Sequence, residues 1–574
     1  MQVHSRKTTF YHYGYRAVLL LLATALGSAC LLYLFNSRDT LLQHYLALSP
    51  AFYRSTVFAQ QFFTPEVKTQ GNLLCLIALA GIPFLYRYLA AAPGISLRKW
   101  RLQPADWGVW LLLCAYAWLL QADGLLYAAP ATDEVFSLLN FSSRPLLHTA
   151  SQYTNTNNHI LFNLLNHFIP GDIPRRVIGG RLFSFGCYLL LLTGNYLLLL
   201  RFTRNRWLAA GSCLLLSAQF FFWGFGHQAR GYALLYLLGW CCFLLLFGIF
   251  FRQRQDSRAC LLALVAANAA GMWAVPMFLY VFVFEIITGI VFMALRRRWY
   301  PAYWKAMLAA AFLIFTCYLP VFCYSGIHAF TQNKFIAGGH AGVLGTLHSF
   351  FSIFREKIIF QVFPFIGPGA MAVFLLLCVV LLWLTRAAWK PYRGLLLLLL
   401  LLWSSTLLTI AGMQQGPVLR GLGLHLQLSL LVLLLFTSLA ITRISQPQAR
   451  RLAGILFGSC CLWGSIRMMA YNNHPGMIQD LYGQDVNIQA QALSEHKHFA
   501  APGASIWLSE ESFMWTAFLP ARQPVFYHNA NFRQQDWIII SEDDRQEETA
   551  PLLAGYTYRF PVLFYRVYQR TTKP

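Results

Sequence analysis

The chain has 574 residues, of which 57% are hydrophobic, 16% aromatic and only 11% charged, against roughly 25% charged in an ordinary soluble protein. That balance excludes a disordered chain and a disulfide-stapled secreted scaffold, argues against a soluble globular enzyme, and points to a polytopic membrane protein. The net charge of +23 is uneven, with 36 basic and 10 acidic residues up to position 470 but 8 basic and 11 acidic after it, a pattern of basic membrane loops and not of a nucleic-acid-binding stripe.

Apolar runs of spanning length predict thirteen membrane helices, near 16–35, 72–92, 107–126, 177–200, 207–223, 231–251, 259–275, 276–295, 306–325, 369–385, 394–411, 422–442 and 452–470. The first has the basic flank of a signal peptide, but ALGSAC lacks a cleavage pattern and the run is read as a retained helix. Pro276 divides the block 259–295 into two tightly joined spans. With the N-terminus inside, seven alternate loops, from Arg6/Lys7/Arg16 to Arg443/Arg450/Arg451, each hold at least three Lys or Arg and together hold 22. The positive-inside rule therefore predicts an odd number of spans, a cytoplasmic N-terminus and an extracytoplasmic C-terminus. All 13 cysteines lie in or beside apolar stretches without a CxxC, as small buried hydrophobes and not as a metal or disulfide framework.

Three outside segments are longer than turns, roughly 36–71, 127–176 and 326–368, and the tail from 471 is a fourth. Strand-like runs at SIWLS (505–509), PVFYH (524–528), DWIII (536–540) and YTYRFPVLFYRVY (556–568) predict a small α/β or mixed outside domain over 471–574, beside a membrane domain over 1–470. No internal repeat is visible, which counts against repeat-built transporters.

Carboxylates are scarce, so the Asp133–Glu134 pair just past the third span stands out. An acidic pair at a helix start is explained by capping, with Thr132 or Asp133 as N-cap, or by chemistry. The following NNHILFNLLNHF has the period of an amphipathic helix, with His159, Asn163, Asn166 and His167 on one arc and Ile160, Leu161, Leu164, Leu165 and Phe168 on the other. It is expected at the membrane surface with its polar stripe facing a cavity, where Asn and His would bond sugar or phosphate oxygens. The two histidines are eight apart, a poor ligand spacing, and no metal site or cofactor is read here. In the short turn GFGHQARGYALLYLLG, Arg230 with His227 beside it stands at the membrane boundary, as a phosphate partner or a snorkelling arginine. Further outside cations are Lys334 in the glycine-rich TQNKFIAGGHAG, a candidate lid, Arg355 and Lys357, and Arg420 in GMQQGPVLRG. Glu285 lies mid-span in VFVFEIITG, a functional signal by default, and is expected to pair with Arg181.

An Asp-Glu pair in the first large outside loop, an Asn/His-rich amphipathic segment and the turn ARGYAL, in that order, resemble the GT-C membrane glycosyltransferases, in particular the protein O-mannosyltransferase and lipid A aminoarabinose transferase group. The resemblance covers residues 107–251 and the overall topology. It implies a mainly α polytopic fold, a polyprenyl-phosphate-linked sugar as donor, a membrane lipid environment, and inverting transfer to a protein, lipid or glycan acceptor outside a bacterial inner membrane. It implies Asp133 as catalytic carboxylate with Glu134 its neighbour, Asn158 and His159 where relatives often show His-Pro, and Arg230 as the arginine of the turn. This chain departs from the pattern at Ile160, where proline is common, and at His227 and Gln228, where many relatives carry a carboxylate. The chemistry suits these residue types: a carboxylate as general base for an acceptor hydroxyl and a cationic cradle for a departing lipid phosphate. Two rival readings are a lipid or solute transporter, which Glu285 would serve, and a surface-polysaccharide ligase or polymerase.

Overall fold

The computed structural model describes residues 2–48, 58–91, 102–128, 130–153, 157–171, 173–252, 257–331, 342–353, 393–413, 419–473 and, in the tail, 504–508, 525–526, 535–541, 553, 555–562 and 565–571. Among these, ten helices are long and apolar enough to cross a membrane. Nine of the predicted spans therefore lie in single long helices, and Pro276–Arg296 is the tenth. The predicted span at 369–385 lies outside the described residues.

Two predicted spans take a different form. The run at 207–223 is broken, with helices Arg206–Ser217 and Phe220–Gly226 meeting at 75°. Gln219 makes the second start possible, its side-chain oxygen accepting from Phe222 N at 2.9 Å, as an N-cap does. The run at 259–275 is a helix of 17 residues, Arg258–Ala274. It ends where expected, because Val275 precedes Pro276 and is driven into extended backbone (φ −149°, ψ 124°).

Local chemistry sets the other ends as well. Thr64 caps Pro65–Ala90, accepting from Val67 N at 3.3 Å, with proline at the first position. Asn205 caps Arg206–Ser217 through bonds from Trp207 N and Leu208 N at 3.0 and 3.1 Å.

Described residues of the long segments 36–71 and 127–176 meet the end of helix Pro301–Tyr324 at one end of the bundle. Tyr45 OH shares a 3.1 Å bond with Ser151 Oγ. Ser325 Oγ, just past helix Pro301–Tyr324, donates to Ser151 O at 2.7 Å and accepts from Tyr153 N at 3.0 Å. Residues from the first and second segments and from the start of the third are thus tied in one network. That shared end is the one at which Asp133 stands.

The tail contains a five-stranded sheet in the order β2-β1-β3-β5-β4, with β1 Ile506–Leu508, β2 Val525–Phe526, β3 Trp537–Ser541, β4 Tyr556–Val562 and β5 Tyr565–Arg570. β1 runs parallel to β2 and β3, and β5 runs antiparallel to β3 and β4, so the sheet is mixed. Among the described residues of the sheet, all three of β1, the stretch Trp537–Ile540 of β3 and Val567 of β5 are buried. The run 556–568, read as one segment, is the hairpin β4–β5, bulged at Tyr558/Phe560.

Candidate active site

Asp133 and Glu134 sit at the second and third positions of the short helix Thr132–Ser137. Neighbouring helical residues point about 100° apart, and the pair accordingly divides. The N-cap is Ala131, not Thr132 or Asp133 as expected, and Glu134 reaches back to it, Oε2 accepting from Ala131 N at 2.7 Å. Glu134 is fully buried. It also receives Arg181 Nε at 3.0 Å and Nη2 at 2.8 Å, and Ala229 N at 2.5 Å. The same guanidinium donates through Nη1 to Gly124 O and Ala128 O at 2.9 and 2.7 Å. This ion pair joins the end of the third span, the acidic helix, helix Ile173–Thr203 and the ARGYAL turn.

The turn is seated closely. A Cβ on Gly180 would lie 2.8 Å from the Ala229 methyl, and one on Gly124 would lie 2.6 Å from the His227 ring. Only glycine lets these helices approach the 227–231 backbone at that distance.

Asp133 faces the other way, its side chain 40% exposed. Its Oδ2 accepts from Arg230 Nη1 at 2.5 Å and from Arg420 Nη1 at 3.0 Å. Asn157 Nδ2 donates to Asp133 O at 3.0 Å and Oδ1 at 3.3 Å, and Asn157 Oδ1 in turn accepts from Arg230 Nη2. Arg230 is buried while Arg420 is 36% exposed, and both guanidiniums lie over the Tyr232 ring, at 4.9 and 6.0 Å. Burial alone would raise the Asp133 carboxyl, but Arg230 and Arg420 outweigh it and hold it below the usual carboxylate value. The carboxylate is ionised at neutral pH and clamped between two cations.

His159 completes the cluster from the residue preceding helix Ile160–His167. Its Nδ1 accepts from Gly231 N at 2.9 Å. Burial, and then the nearby Arg230, keep the ring neutral, far below the ordinary imidazole value. A neutral ring whose Nδ1 accepts must carry its proton on Nε2. That Nε2–H stands 3.5 Å from Arg230 Nη2, donor against donor, so the two abut without bonding.

The other predicted residues fall elsewhere. Asn158 donates to Thr149 O and Gln152 O at 3.0 and 2.6 Å and accepts from Asn163 Nδ2 at 2.9 Å, while Asn163 Oδ1 accepts from Ser142 Oγ at 3.0 Å. Both are buried and engaged with protein, so they shape the loop. The helix Ile160–His167 does not divide into one buried and one open face as expected, since Ile160 and Phe162 are buried as well. Asn163 and Asn166 face inward, and Leu165 and Phe168 face outward at 42% and 71% exposure. His227 is buried with Nδ1 against Gln121 Oε1 at 2.5 Å, and burial plus Arg181 lower it to about 3. Lys334, Arg355 and Lys357 lie outside the described residues. Glu285 does not pair with Arg181, which Glu134 has taken; it accepts from Asn268 Nδ2 at 2.6 Å. Among the described residues no group of three or more His, Cys, Asp or Glu side chains is assembled as for a metal.

The reading of the sequence missed Asn157, Arg181 and Tyr232 as site residues. Asn157 lies next to Asn158, and the Asn-Asn pair carries no signal of which side chain turns toward Asp133.

No known family profile and no curated protein sequence matches the chain. Solved structures do. The ArnT protein of Cupriavidus metallidurans bound to undecaprenyl phosphate superposes with a TM-score of 0.50 at 13% identity, over 81% of this chain and 98% of that one. The chain shares the GT-C fold of that structure. The apo form of the same protein gives 0.49 at 12% identity over the same shares. Arabinosyltransferase EmbB of Mycobacterium smegmatis gives 0.36 at 14%, over 74% of this chain and 43% of that one. In the chain described here, this GT-C framework brings Asp133, Arg230 and Arg420 together from three separate stretches of sequence.

Proposed function

We propose that the chain is a membrane glycosyltransferase that moves a sugar from a polyprenyl-phosphate carrier to an acceptor hydroxyl, with inversion. The observation that carries this reading is the half-exposed Asp133 carboxylate held by both Arg230 and Arg420. An acceptor hydroxyl attacks the anomeric carbon, and its proton passes to the Asp133 carboxylate. The bond from the anomeric carbon to the phosphate oxygen breaks, and its electron pair leaves with the lipid phosphate. The two guanidiniums receive the charge that develops on that phosphate.

The charges balance on both sides of the step. Two guanidiniums meet one carboxylate and one phosphodiester charge before transfer. Afterwards they meet a doubly charged phosphomonoester, while the carboxylate has been neutralised by the acceptor's proton. A single displacement needs no second carboxylate, and Glu134 is unavailable as one because Arg181 and two backbone N–H groups occupy its oxygens.

Undecaprenyl phosphate in the similar ArnT structure supports the donor class. Charge supports an extracytoplasmic site: helices Ile173–Thr203 and Tyr232–Phe251 start beside the cluster and run to Arg201, Arg204 and Arg252 at the opposite end. On this reading the tail domain, 471–574, orients the acceptor.

The test is sugar transfer from polyprenyl-phosphate-linked sugars by the purified full-length protein in lipid. Asp133→Asn is expected to lower transfer by about 10²–10⁴-fold with the fold retained. Full transfer by that variant would reject the assignment.

A further inference from the structure

The Asp133 carboxylate occupies the position from which an anion would bridge Arg230 and Arg420. Its Oδ2 takes one Nη1 from each, at 2.5 and 3.0 Å. Two donors of the same cluster lack an acceptor. Arg230 Nε is buried with no hydrogen-bond partner among the described residues. The His159 Nε2–H faces the Arg230 guanidinium donor against donor at 3.5 Å. Two guanidiniums and one carboxylate leave one uncompensated positive charge. A buried polar donor without an acceptor is costly, and here the unmet donors and the unmet charge coincide. The carboxylate, by contrast, stands near the start of a six-residue helix and is 40% exposed.

We propose that Asp133 is a resident stand-in for the donor's phosphate: in the empty site it holds Arg230 and Arg420 in place, and the incoming phosphate displaces it from them. This deepens the glycosyltransferase reading and rests on it. The displacement does two things. It supplies the phosphate with preorganised guanidiniums, with Arg230 Nε and His159 Nε2 as additional donors. It also strips Asp133 of the cations that suppress its basicity and sets an anion beside it, so the carboxylate becomes a stronger base only when donor is present. The base is therefore silent toward hydroxyls, water included, until the carrier is seated. The charged and titratable groups that face Asp133 are Arg230 and Tyr232 from the turn, His159 from the segment before Ile160–His167, and Arg420 from helix Leu419–Thr442.

A carboxylate that competes with the ligand should weaken its binding. The experiment measures the affinity of undecaprenyl phosphate for the full-length protein in detergent, for wild type, Asp133→Asn and Asp133→Glu. Asp133→Asn is expected to bind roughly ten-fold tighter than wild type, although its sugar transfer is lowered, and Asp133→Glu should bind like wild type. Equal or weaker binding by Asp133→Asn, with its melting temperature unchanged, overturns the proposal while leaving the glycosyltransferase reading intact. No binding by wild type overturns both.

Calorimetry in buffers of different ionisation enthalpy gives a second readout that survives a poorly folding variant. At the acid end of the wild type's stable range, carrier binding should take up protons, and uptake should vanish toward about pH 7.5. Uptake that persists in Asp133→Asn assigns the proton to His159 and overturns the proposal. Inorganic phosphate competing as well as the lipid would show a free-anion seat, against the carrier.

Discussion

Arg420 and Asp133 are 287 positions apart in the chain and meet at 3.0 Å. Arg420 is the second residue of helix Leu419–Thr442, and Tyr236 OH fixes that start by donating to Arg420 O at 2.7 Å. Tyr236 and Arg230 belong to the same turn and helix, so one element locates both cations. Their environments differ, Arg230 being buried and Arg420 36% exposed, and this difference separates their expected roles.

Arg230→Lys should lower sugar transfer by about 10²-fold or more, because an ammonium cannot bridge Asp133 and Asn157 at once as the planar guanidinium does. Arg420→Lys should act mainly on the donor's KM, by about ten-fold, since an exposed point charge still attracts phosphate. Steady-state kinetics with a polyprenyl-phosphate-linked sugar checks both, and equal effects on kcat from the two substitutions would contradict the division.

Glu134 and Arg181 form a buried ion pair with every Glu134 oxygen engaged. Removing one partner leaves an uncompensated buried charge, so Glu134→Gln or Arg181→Met should each cost about 3–5 kcal/mol. The double variant should lose less than the sum of the two. Thermal unfolding in detergent reads this. Asp133→Asn, at a carboxylate that is 40% exposed, should lower the melting temperature less than either, and loss of activity by Glu134→Gln without loss of stability would make Glu134 chemical after all.

Three histidines outside the spans are buried and neutral. His148 is lowered to about 4 by burial and then Arg144, His227 to about 3 by burial and then Arg181, and His159 lies well below its ordinary value. The unfolded chain binds a proton at each from about pH 6.5 downward, and the folded chain does not. Stability is therefore complete above the unfolded value and falls as pH drops through the window between about 6.5 and the folded values, by about 1.4 kcal/mol per pH unit for each imidazole. The Asp133 ion pairs add a loss of the same sign in a lower window, beneath the ordinary carboxylate value. Melting temperatures between about pH 7.5 and 5 should fall steadily, and His148→Gln should flatten the slope. A flat profile in wild type would contradict the neutral assignments.

Leu165 and Phe168 face outward, and an apolar face presented there fits the headgroup–acyl boundary. Phe168→Trp should give fluorescence quenched by lipids brominated high on the acyl chain. Quenching by aqueous iodide alone would place that face in water.

Much of the architecture follows from the sequence because the relevant forces are local or one-dimensional. Span positions come from apolar length, helix starts from Thr64 and Asn205, the break at Val275 from Pro276, and the tail strands from short β-branched and aromatic runs. Asp133 and Arg230 stand out in the sequence because an ionised side chain beside an apolar run needs a reason to be there. Which way each residue turned was decided only by packing. Asp133 and Glu134 are chemically alike and adjacent, and burial against Arg181 and the Ala229 N–H made one a structural anion and left the other half exposed. Helix Ile160–His167 shows the same limit: its period announced two faces, but Asn163 turned inward to Ser142 and Asn158, and the apolar arc divided, with Ile160 buried and Leu165 and Phe168 exposed. Arg181 was assigned to Glu285 on scarcity of charge, yet only the fold determines which carboxylate is within reach, since Coulomb attraction falls with separation in space and not along the chain.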